Sequence, residues 1–298
     1  MDHHIVPQFL LRPWAAGDDE NKLHAYLYRR GVLSKKKLAP KGTSYRPELY
    51  ALSRDKVAGA DRQSVVTQVL QHLDDAAADV RLKMVRNTPL TAEDMLAWAR
   101  FLIGLKARQP QTVDHLRQAV PEQFRAILAE RPEEYEAVST GSAPSLEAWT
   151  ETALPGLIEN FGLLILGGVA SHPPLFEKLV RLKWGTIRFP APAPQLLLGD
   201  NSHFVGGNLG DANFVVALPI GPRQAFLATA TDEGWRKLVA YPRARLAENL
   251  NAQTIRLASE KIYAADWAAE DLIRARLQTF GEINRIHFDQ GVTPASAA

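Results

Sequence analysis

The sequence lacks several residue types and motifs on which common enzyme classes depend. It contains no cysteine, which excludes disulfide bonds, thiolate zinc sites and cysteine nucleophiles. It contains no Gly-x-Ser-x-Gly, His-Glu-x-x-His or Walker phosphate-loop motif, so the corresponding hydrolase, metalloprotease and nucleotide-binding classes have no support. The formal net charge is only +2, which is too close to zero to indicate nucleic-acid binding by itself.

Long hydrophobic runs are also missing. The longest apolar stretch, roughly residues 161–170, is too short to span a bilayer, which needs about 20 apolar residues. That stretch also contains three glycines, and we interpret it as a buried helix. The first residues do not show the basic segment, apolar stretch and small-residue end of a signal peptide. We therefore expect a soluble, cytoplasmic protein without a membrane span.

The composition is that of a folded globular protein. The chain has 298 residues, of which 46% are hydrophobic and 23% charged, as in ordinary soluble proteins. This length suits one large domain or two small ones. We predict a single α+β domain over residues 1–290, followed by a flexible tail over residues 291–298.

Hydrophobic periodicity divides the chain into a strand-rich start, a helical middle and a strand-rich end. Alternating residues over 22–38 predict a β-hairpin. Apolar residues at spacings of three and four predict helices over about 62–182, one of which begins after the capping hydroxyl of Thr91. Short apolar runs after Trp184 predict further strands, with a late helix over about 244–258. This order indicates the α+β class, in which a mainly antiparallel sheet, built from the N-terminal hairpin and the C-terminal strands, packs on the central helical region.

The first residues concentrate titratable and conformationally constrained side chains. His3 and His4 precede Pro7 in a segment whose apolar residues predict packing into a core, although termini usually fray. Histidine titrates near neutrality, so one of the pair is a candidate general base, anion contact or metal ligand. Adjacent residues on a strand point to opposite faces, so both cannot serve one metal unless the backbone is irregular. The structural alternative is a pair of hydrogen-bonded histidines that lock the terminus.

The segment Asp2–Pro7 also invites comparison with the HNH nuclease motif. Asn21 lies roughly where that motif places its asparagine. However, Arg29 and Arg30 stand near the position of its last His or Asn, and its glycine pair is missing. The motif also lies inside a ββα unit rather than at a terminus. We therefore disfavour an HNH nuclease site.

Other candidate site residues lie at the ends or inside predicted elements. Asp200 and Asn201 follow a predicted strand, where loops often carry functional groups; the alternative is an Asx-turn in which these side chains bond their own backbone. Arg108 lies at a helix end, where it complements the helix dipole or, facing inward, binds a carboxylate or phosphate. Asn251 lies inside a predicted helix, where asparagine is disfavoured, so we expect it to reach a partner. Asp74 and Asp75 lie on the first long predicted helix; one alternative is that Asp75 faces a site, but adjacent acids on a helix are usually solvated, and we expect both to be so.

These residues together resemble an uncharacterised family of microbial proteins, domain of unknown function four-two-three-eight. The family signature His-His-x-Val-Pro-x-x-x-Leu-Arg-x-Phe is matched by residues 3–14, with Trp14 in place of Phe. Weaker matches follow in order along most of the chain, at the segments Pro47–Tyr50, Arg108–Pro110, Gly199–Ser202, Leu218–Pro222 and Asn249–Asn251. The segment at 199–202 departs from the family's Ser-Asp-Asn-Pro at its first and last positions. The resemblance supplies no activity but implies that six residues converge: His3, His4, Arg12, Arg108, Asp200 and Asn201.

Two functional hypotheses follow. The first is a hydrolase, a phosphoesterase or a nuclease-like enzyme, in which a histidine acts as general base, an aspartate orients it or binds metal, and arginines stabilise anionic charge. Its site comprises four catalytic and three substrate-binding residues: His3, His4, Asp200 and Asn201, then Arg12, Arg108 and Asn251. The second is a non-catalytic ligand-binding or interaction module, in which the His-His motif is a structural lock. The expected partner is an anionic small molecule or a nucleic acid, and no residue spacing identifies a metal, a cofactor or an oligomeric state.

Overall fold

A computed structural model describes residues 1–17, 21–130, 145–170, 172–208 and 210–279. The predicted tail over residues 291–298 lies outside the described residues. The chain forms two compact units: the first comprises Met1–Ile5 and Tyr45–Arg181, and the second comprises Val6–Ser44 and Leu182–Ala298. About half of the chain is helical and about a fifth is in antiparallel strands, so the α+β class is confirmed, and the single domain over residues 1–290 stays a prediction.

The strands are short, and every pairing among them is antiparallel. Within the described residues they are β1 (Asp2–His4), β2 (Leu23–Arg29), β3 (Val32–Leu38), β4 (Tyr45–Pro47), β5 (Lys56–Val57), β6 (Ala60–Asp61), β7 (Lys183–Arg188), β8 (Leu198–Gly199), β9 (Phe204–Gly206), β10 (Val215–Gly221), β11 (Gln224–Thr229) and β12 (Lys261–Ala264).

Most helices lie in the middle of the chain. The described α-helices are α1 (Gln8–Ala15), α2 (Gln71–Arg86), α3 (Ala92–Ala107), α4 (Pro110–Ala129), α5 (Leu146–Ala153), α6 (Leu157–Leu164), α7 (Leu166–Ala170), α8 (Pro173–Val180), α9 (Asp232–Ala240), α10 (Arg243–Leu257) and α11 (Glu270–Ala275). A π-helical turn over Val65–Leu70 leads into α2, and 3-10 turns lie at Pro40–Gly42 and Leu277–Thr279.

The first unit contains the long central helices and the β1–β4 pair. In that pair His3 lies opposite Arg46, so the amino-terminal strand is held to the segment that precedes Tyr50. Helix α3 begins as predicted: the Thr91 hydroxyl accepts a hydrogen bond from the Asp94 amide, and the Asp94 carboxylate accepts one from the Thr91 amide. These reciprocal bonds satisfy amides that would otherwise lack partners at the helix start.

The second unit contains two four-stranded sheets, with strand orders β3-β2-β12-β8 and β7-β11-β10-β9. The predicted hairpin is present as β2 and β3, but it pairs with β12 and not with the strands that directly follow Trp184. The sequence did not indicate β12, because four residues are too few to establish a period of two.

Helix α10 packs against the hydrophobic residues of both sheets in the second unit. Its residues Leu246 and Leu250 belong to a cluster with Phe189 and Leu227, and Ile255, farther along the helix, belongs to a cluster with residues of the other sheet. A side chain at the middle of α10 is therefore close to the ends of strands from both sheets. Among the described residues, no helix has the length and apolar character needed to cross a bilayer.

Candidate functional site

His3 is buried in the first unit, and both of its ring nitrogens are hydrogen-bonded. The Tyr50 amide donates to Nδ1 over 2.9 Å, and Nε2 lies 2.7 Å from the Gln63 Oε1 atom. An amide can only donate, so Nδ1 is the acceptor and Nε2 carries the proton that it donates to Gln63. The Gln63 amide is oriented by Glu48, whose Oε2 accepts from Gln63 Nε2 over 3.0 Å. His3 is therefore held as one neutral tautomer.

Burial lowers the pKa of the His3 imidazole, although its hydrogen bond to Gln63 and the charge of Glu48 act in the opposite direction. The ring also stacks on Tyr50, with centroids 5.4 Å apart and planes within 1° of parallel. A proton added to the ring would have to occupy Nδ1 and would displace the Tyr50 amide. The geometry thus favours the neutral ring at neutral pH.

Tyr50 brings His3, His4 and Arg108 together within the first unit. Its hydroxyl donates to the Arg108 carbonyl over 2.7 Å, with the His4 carbonyl at 3.5 Å as a second, longer contact. The His4 ring is half-buried and lies 5.9 Å from the Tyr45 ring. Sequence reasoning did not select Tyr50 for a site; the available signal was its place in the segment Pro47–Tyr50 that carries part of the family resemblance.

The Arg108 guanidinium forms an ion pair with Asp74. The guanidinium is 1% exposed, and its two terminal nitrogens lie 2.8 and 3.0 Å from the two carboxylate oxygens, while Nε donates to the Gly104 carbonyl. Burial raises the pKa of the Asp74 carboxyl, and the Arg108 charge opposes that rise. The expectation that Asp74 is solvated is wrong, because the turn after α3 directs Arg108 towards α2. The charge of Arg108 is already neutralised within the unit.

Asp200 lies in the second unit, and each of its carboxylate oxygens accepts two backbone hydrogen bonds. Oδ1 accepts from the amides of Asn201 and Ser259, and Oδ2 accepts from those of Glu260 and Lys261, over 2.7–3.1 Å. Burial raises the pKa of the Asp200 carboxyl, and the backbone hydrogen bonds oppose that rise. The carboxylate joins the end of β8 to the turn that leads into β12. The Asn201 contact is local, but it reaches the next residue rather than the amide two residues on that an Asx-turn bonds.

Asn251 has a similar arrangement on α10. Its Oδ1 accepts from the Leu197 amide and its Nδ2 donates to the Gln195 carbonyl, both over 2.8 Å. The side chain therefore pairs with the backbone of an extended segment as a neighbouring strand would. The expectation that Asn251 reaches a partner is confirmed, and the partner is the main chain that precedes β8.

Asn201 and Ser202 differ from these residues because they line a small pocket. The pocket has a volume of about 230 Å³, including its open mouth, and it is lined by residues of the loop after β8, of β9 and β10, and of α10. Asn201 Oδ1 and Ser202 Oγ are fully buried, and within the described part of the chain neither has a hydrogen-bond partner. His203 and Thr254 also line this pocket. Ser202 and His203 were missed at the sequence level, where only the strand-end position of the loop pointed to them.

Arg12 occupies a different kind of position. It lies on α1 in the second unit and is exposed, and no hydrogen bond or ion pair joins its side chain to another described residue. The seven candidates are thus divided between the units: His3, His4 and Arg108 belong to the first, and Arg12, Asp200, Asn201 and Asn251 belong to the second. The convergence of all of them on one site stays a prediction.

A metal site requires several donor side chains in one place. Across residues 1–17, 21–130, 145–170, 172–208 and 210–279, no three His, Cys, Asp or Glu side chains are grouped so that they could hold a metal ion. The Asp200 carboxylate is bonded to four amides, and His3 is bonded at both nitrogens. Both side chains therefore already have hydrogen-bond partners in the fold: backbone amides for Asp200 and for His3 Nδ1, and Gln63 for His3 Nε2.

Comparison with known proteins identifies one family. The model of the family described as "Protein of unknown function (DUF4238)" matches residues 2–267. No curated protein and no solved structure matches the chain. The match spans both units, and it confirms the family resemblance that the sequence predicted.

Proposed function

The chain belongs to the DUF4238 family, and we propose that it is a non-catalytic ligand-binding module in which the His-His motif locks the backbone. In this proposal His3, Asp200 and Asn251, which we call the lock residues, stabilise the fold. The ligand binds elsewhere, at the pocket that Asn201 and Ser202 line.

One observation carries the proposal: the polar atoms of the lock residues are already hydrogen-bonded within the fold, to the main chain in every case except His3 Nε2, which is bonded to Gln63. A general base needs a lone pair within hydrogen-bond reach of the proton that it removes. The basic nitrogen of His3 accepts from the Tyr50 amide, and each oxygen of Asp200 accepts from two amides. Buried polar groups with complete hydrogen bonds rigidify a fold without any chemistry.

The state of Arg108 also favours this function over hydrolysis of an anionic substrate. A phosphate or nucleic-acid substrate needs cationic groups that are free to bind its oxygens. Arg108 is buried and paired with Asp74, so binding such a substrate would require that ion pair to break. Breaking a buried ion pair is strongly unfavourable.

The experiment is a parallel measurement of turnover and stability on the full chain. The substrates are p-nitrophenyl phosphate, bis(p-nitrophenyl) phosphate and supercoiled plasmid DNA, each with Mg²⁺ or Mn²⁺. We expect no turnover above a mock purification, and we expect His3→Ala to lower the melting temperature. The matched control is His72→Ala, since His72 is exposed on α2, and it should leave the melting temperature unchanged.

The contrary result is equally specific. Turnover that disappears in His4→Ala while the melting temperature and the far-UV spectrum stay those of the native chain would establish an enzyme. His4 is the histidine to test because its ring is half-buried, whereas the His3 ring is enclosed by Gln63 and Tyr50.

A further inference from the structure

The pocket in the second unit has a polar end and an apolar wall. Asn201, Ser202 and His203 form the polar end, on the loop that connects β8 to β9. Phe204, Leu250 and Leu257 belong to the apolar wall, and the latter two lie on α10. The loop is held in place at its start by the Asp200 carboxylate, so the polar end is positioned by a rigid neighbour.

Two oxygen atoms at this end have no hydrogen-bond partner in the part of the chain that the structure describes. Asn201 is 6% exposed and Ser202 is 4% exposed, and, among the described residues, nothing pairs with Asn201 Oδ1 or Ser202 Oγ. A buried oxygen without a hydrogen bond is unfavourable, and such groups in native proteins usually have a bound partner. The enclosed part of the pocket has room for about one water molecule, so a bound group must be small there and extend into the mouth.

The chemistry of the lining defines the class of ligand. Among the described residues that line the pocket, none is Asp, Glu, Lys or Arg, and His203 is the one titratable side chain, so a charged group would lose its hydration without gaining a permanently charged partner. Asn201 Oδ1 can only accept, whereas the Ser202 hydroxyl can donate. The complementary group is neutral and presents a donor beside an acceptor.

We propose that this pocket binds the primary carboxamide of a small ligand whose apolar body lies against Phe204 and Leu250. The amide NH₂ group donates to Asn201 Oδ1, and the Ser202 hydroxyl donates to the amide oxygen. This inference rests on the proposed binding function and names its ligand class. It uses no group of the lock residues.

The test uses benzamide as the probe and benzoate as its charged isostere, both added to the ¹⁵N-labelled full chain. We expect benzamide to shift the amide resonances of residues 201–204 and 254 saturably, with a millimolar dissociation constant, and benzoate to leave them unchanged. Asn201→Ala and Ser202→Ala should each weaken benzamide binding by about tenfold, the effect of one lost hydrogen bond. Asn213→Ala, at an exposed position outside the pocket lining, should bind as the native chain does.

The opposing results separate this inference from the function on which it rests. No saturable shift from benzamide, or equal shifts from benzoate, would overturn the carboxamide inference, while the binding of a ligand of another class at this pocket would stand. A benzamide affinity in Asn201→Ala or Ser202→Ala that equals that of the native chain would also overturn it. Turnover of phosphoesters that depends on His4 would instead overturn the proposed function.

Discussion

Asp200 and Asn201 are neighbours in the chain and are buried to nearly the same degree, at 9% and 6% exposed, yet the oxygens of their side chains differ in how completely they are hydrogen-bonded. The Asp200 carboxylate accepts four backbone hydrogen bonds. The Asn201 amide oxygen has no partner within the described chain. Burial of a polar residue therefore does not identify a site, whereas the completeness of its hydrogen bonds separates a scaffold residue from a candidate ligand contact.

His3 in the first unit belongs with Asp200 in this comparison. It is 1% exposed, and both ring nitrogens have partners. A histidine in a motif is readily interpreted as catalytic because of its ordinary pKa. Here the same ring supplies one acceptor to the backbone and one donor to a glutamine, which is the arrangement of a structural residue.

The largest effect that we predict is the loss of the Asp200 carboxylate. Asp200→Ala leaves the amides of Asn201, Ser259, Glu260 and Lys261 without their acceptor. Hydrogen bonds to a charged group contribute about 1.5–3 kcal/mol each and are not additive, so we expect the free energy of unfolding to fall by about 4 kcal/mol or more. Urea unfolding followed by tryptophan fluorescence measures this loss.

The control for this variant is an exposed aspartate with backbone contacts of its own. Asp211 accepts from the Asn208 amide over 3.0 Å but is exposed. Asp211→Ala should change the free energy of unfolding by less than about 1 kcal/mol, because water replaces the lost acceptor. Equal losses in the free energy of unfolding for Asp200→Ala and Asp211→Ala would mean that the four backbone hydrogen bonds of the buried Asp200 do not stabilise the fold more than the contacts of an exposed aspartate.

The sequence was sufficient for features that depend on local residues. The Thr91 cap, the hairpin of β2 and β3 and the helix α10 follow from capping chemistry and periodicity over a few turns. Strand β12 was not predicted, because its place depends on pairing with β2, more than two hundred residues earlier.

The candidate site was predictable in its residue types but not in its contacts. His3 is fixed by Tyr50 and Gln63, and Asp200 by the turn at residues 259–261. Each of these partners lies about 50 to 60 residues away. Asp74 shows the same limit, because a carboxylate on a helix is usually solvated, and only its approach to Arg108 made it an ion-pair partner. Hydrogen-bond completeness is a property of the folded chain, so no pattern distinguishes Asp200 from Asn201.

An intermediate effect concerns the pH dependence that His3 confers. Burial lowers the pKa of His3 in the folded chain, whereas the unfolded value is about 6.5. Below about pH 6.5 the unfolded state therefore binds more protons than the folded state. The contribution of neutral His3 to the free energy of unfolding is complete above about pH 6.5, and it is lost as the pH falls from there towards the pKa of the folded chain. In His3→Asn, an amide oxygen can replace Nδ1 as the acceptor for Tyr50 without titrating.

The measurement is the free energy of unfolding of the native chain and of His3→Asn between pH 8 and pH 5. The difference between the two should change by up to about 1.4 kcal/mol per pH unit below pH 6.5, with the native chain losing more. For His72→Asn, at an exposed position, the plot of the free energy of unfolding against pH should run parallel to that of the native chain. Parallel curves for His3→Asn as well would mean that the buried ring is not held neutral.

The smallest effect, that of Asn201→Ala, sharpens the comparison most, because the same substitution can be made at a second buried asparagine. Asn251→Ala removes an acceptor and a donor that both bond the backbone over 2.8 Å, and it should cost about 2 kcal/mol. Asn201→Ala removes an oxygen without a partner in the described chain, and the free energy of unfolding should change by less than about 0.5 kcal/mol or rise. Both variants remove the same atoms, so the difference in urea midpoints isolates the hydrogen bonds. Equal losses would mean that Asn201 is a scaffold residue too, and the pocket would then lose its principal ligand contact.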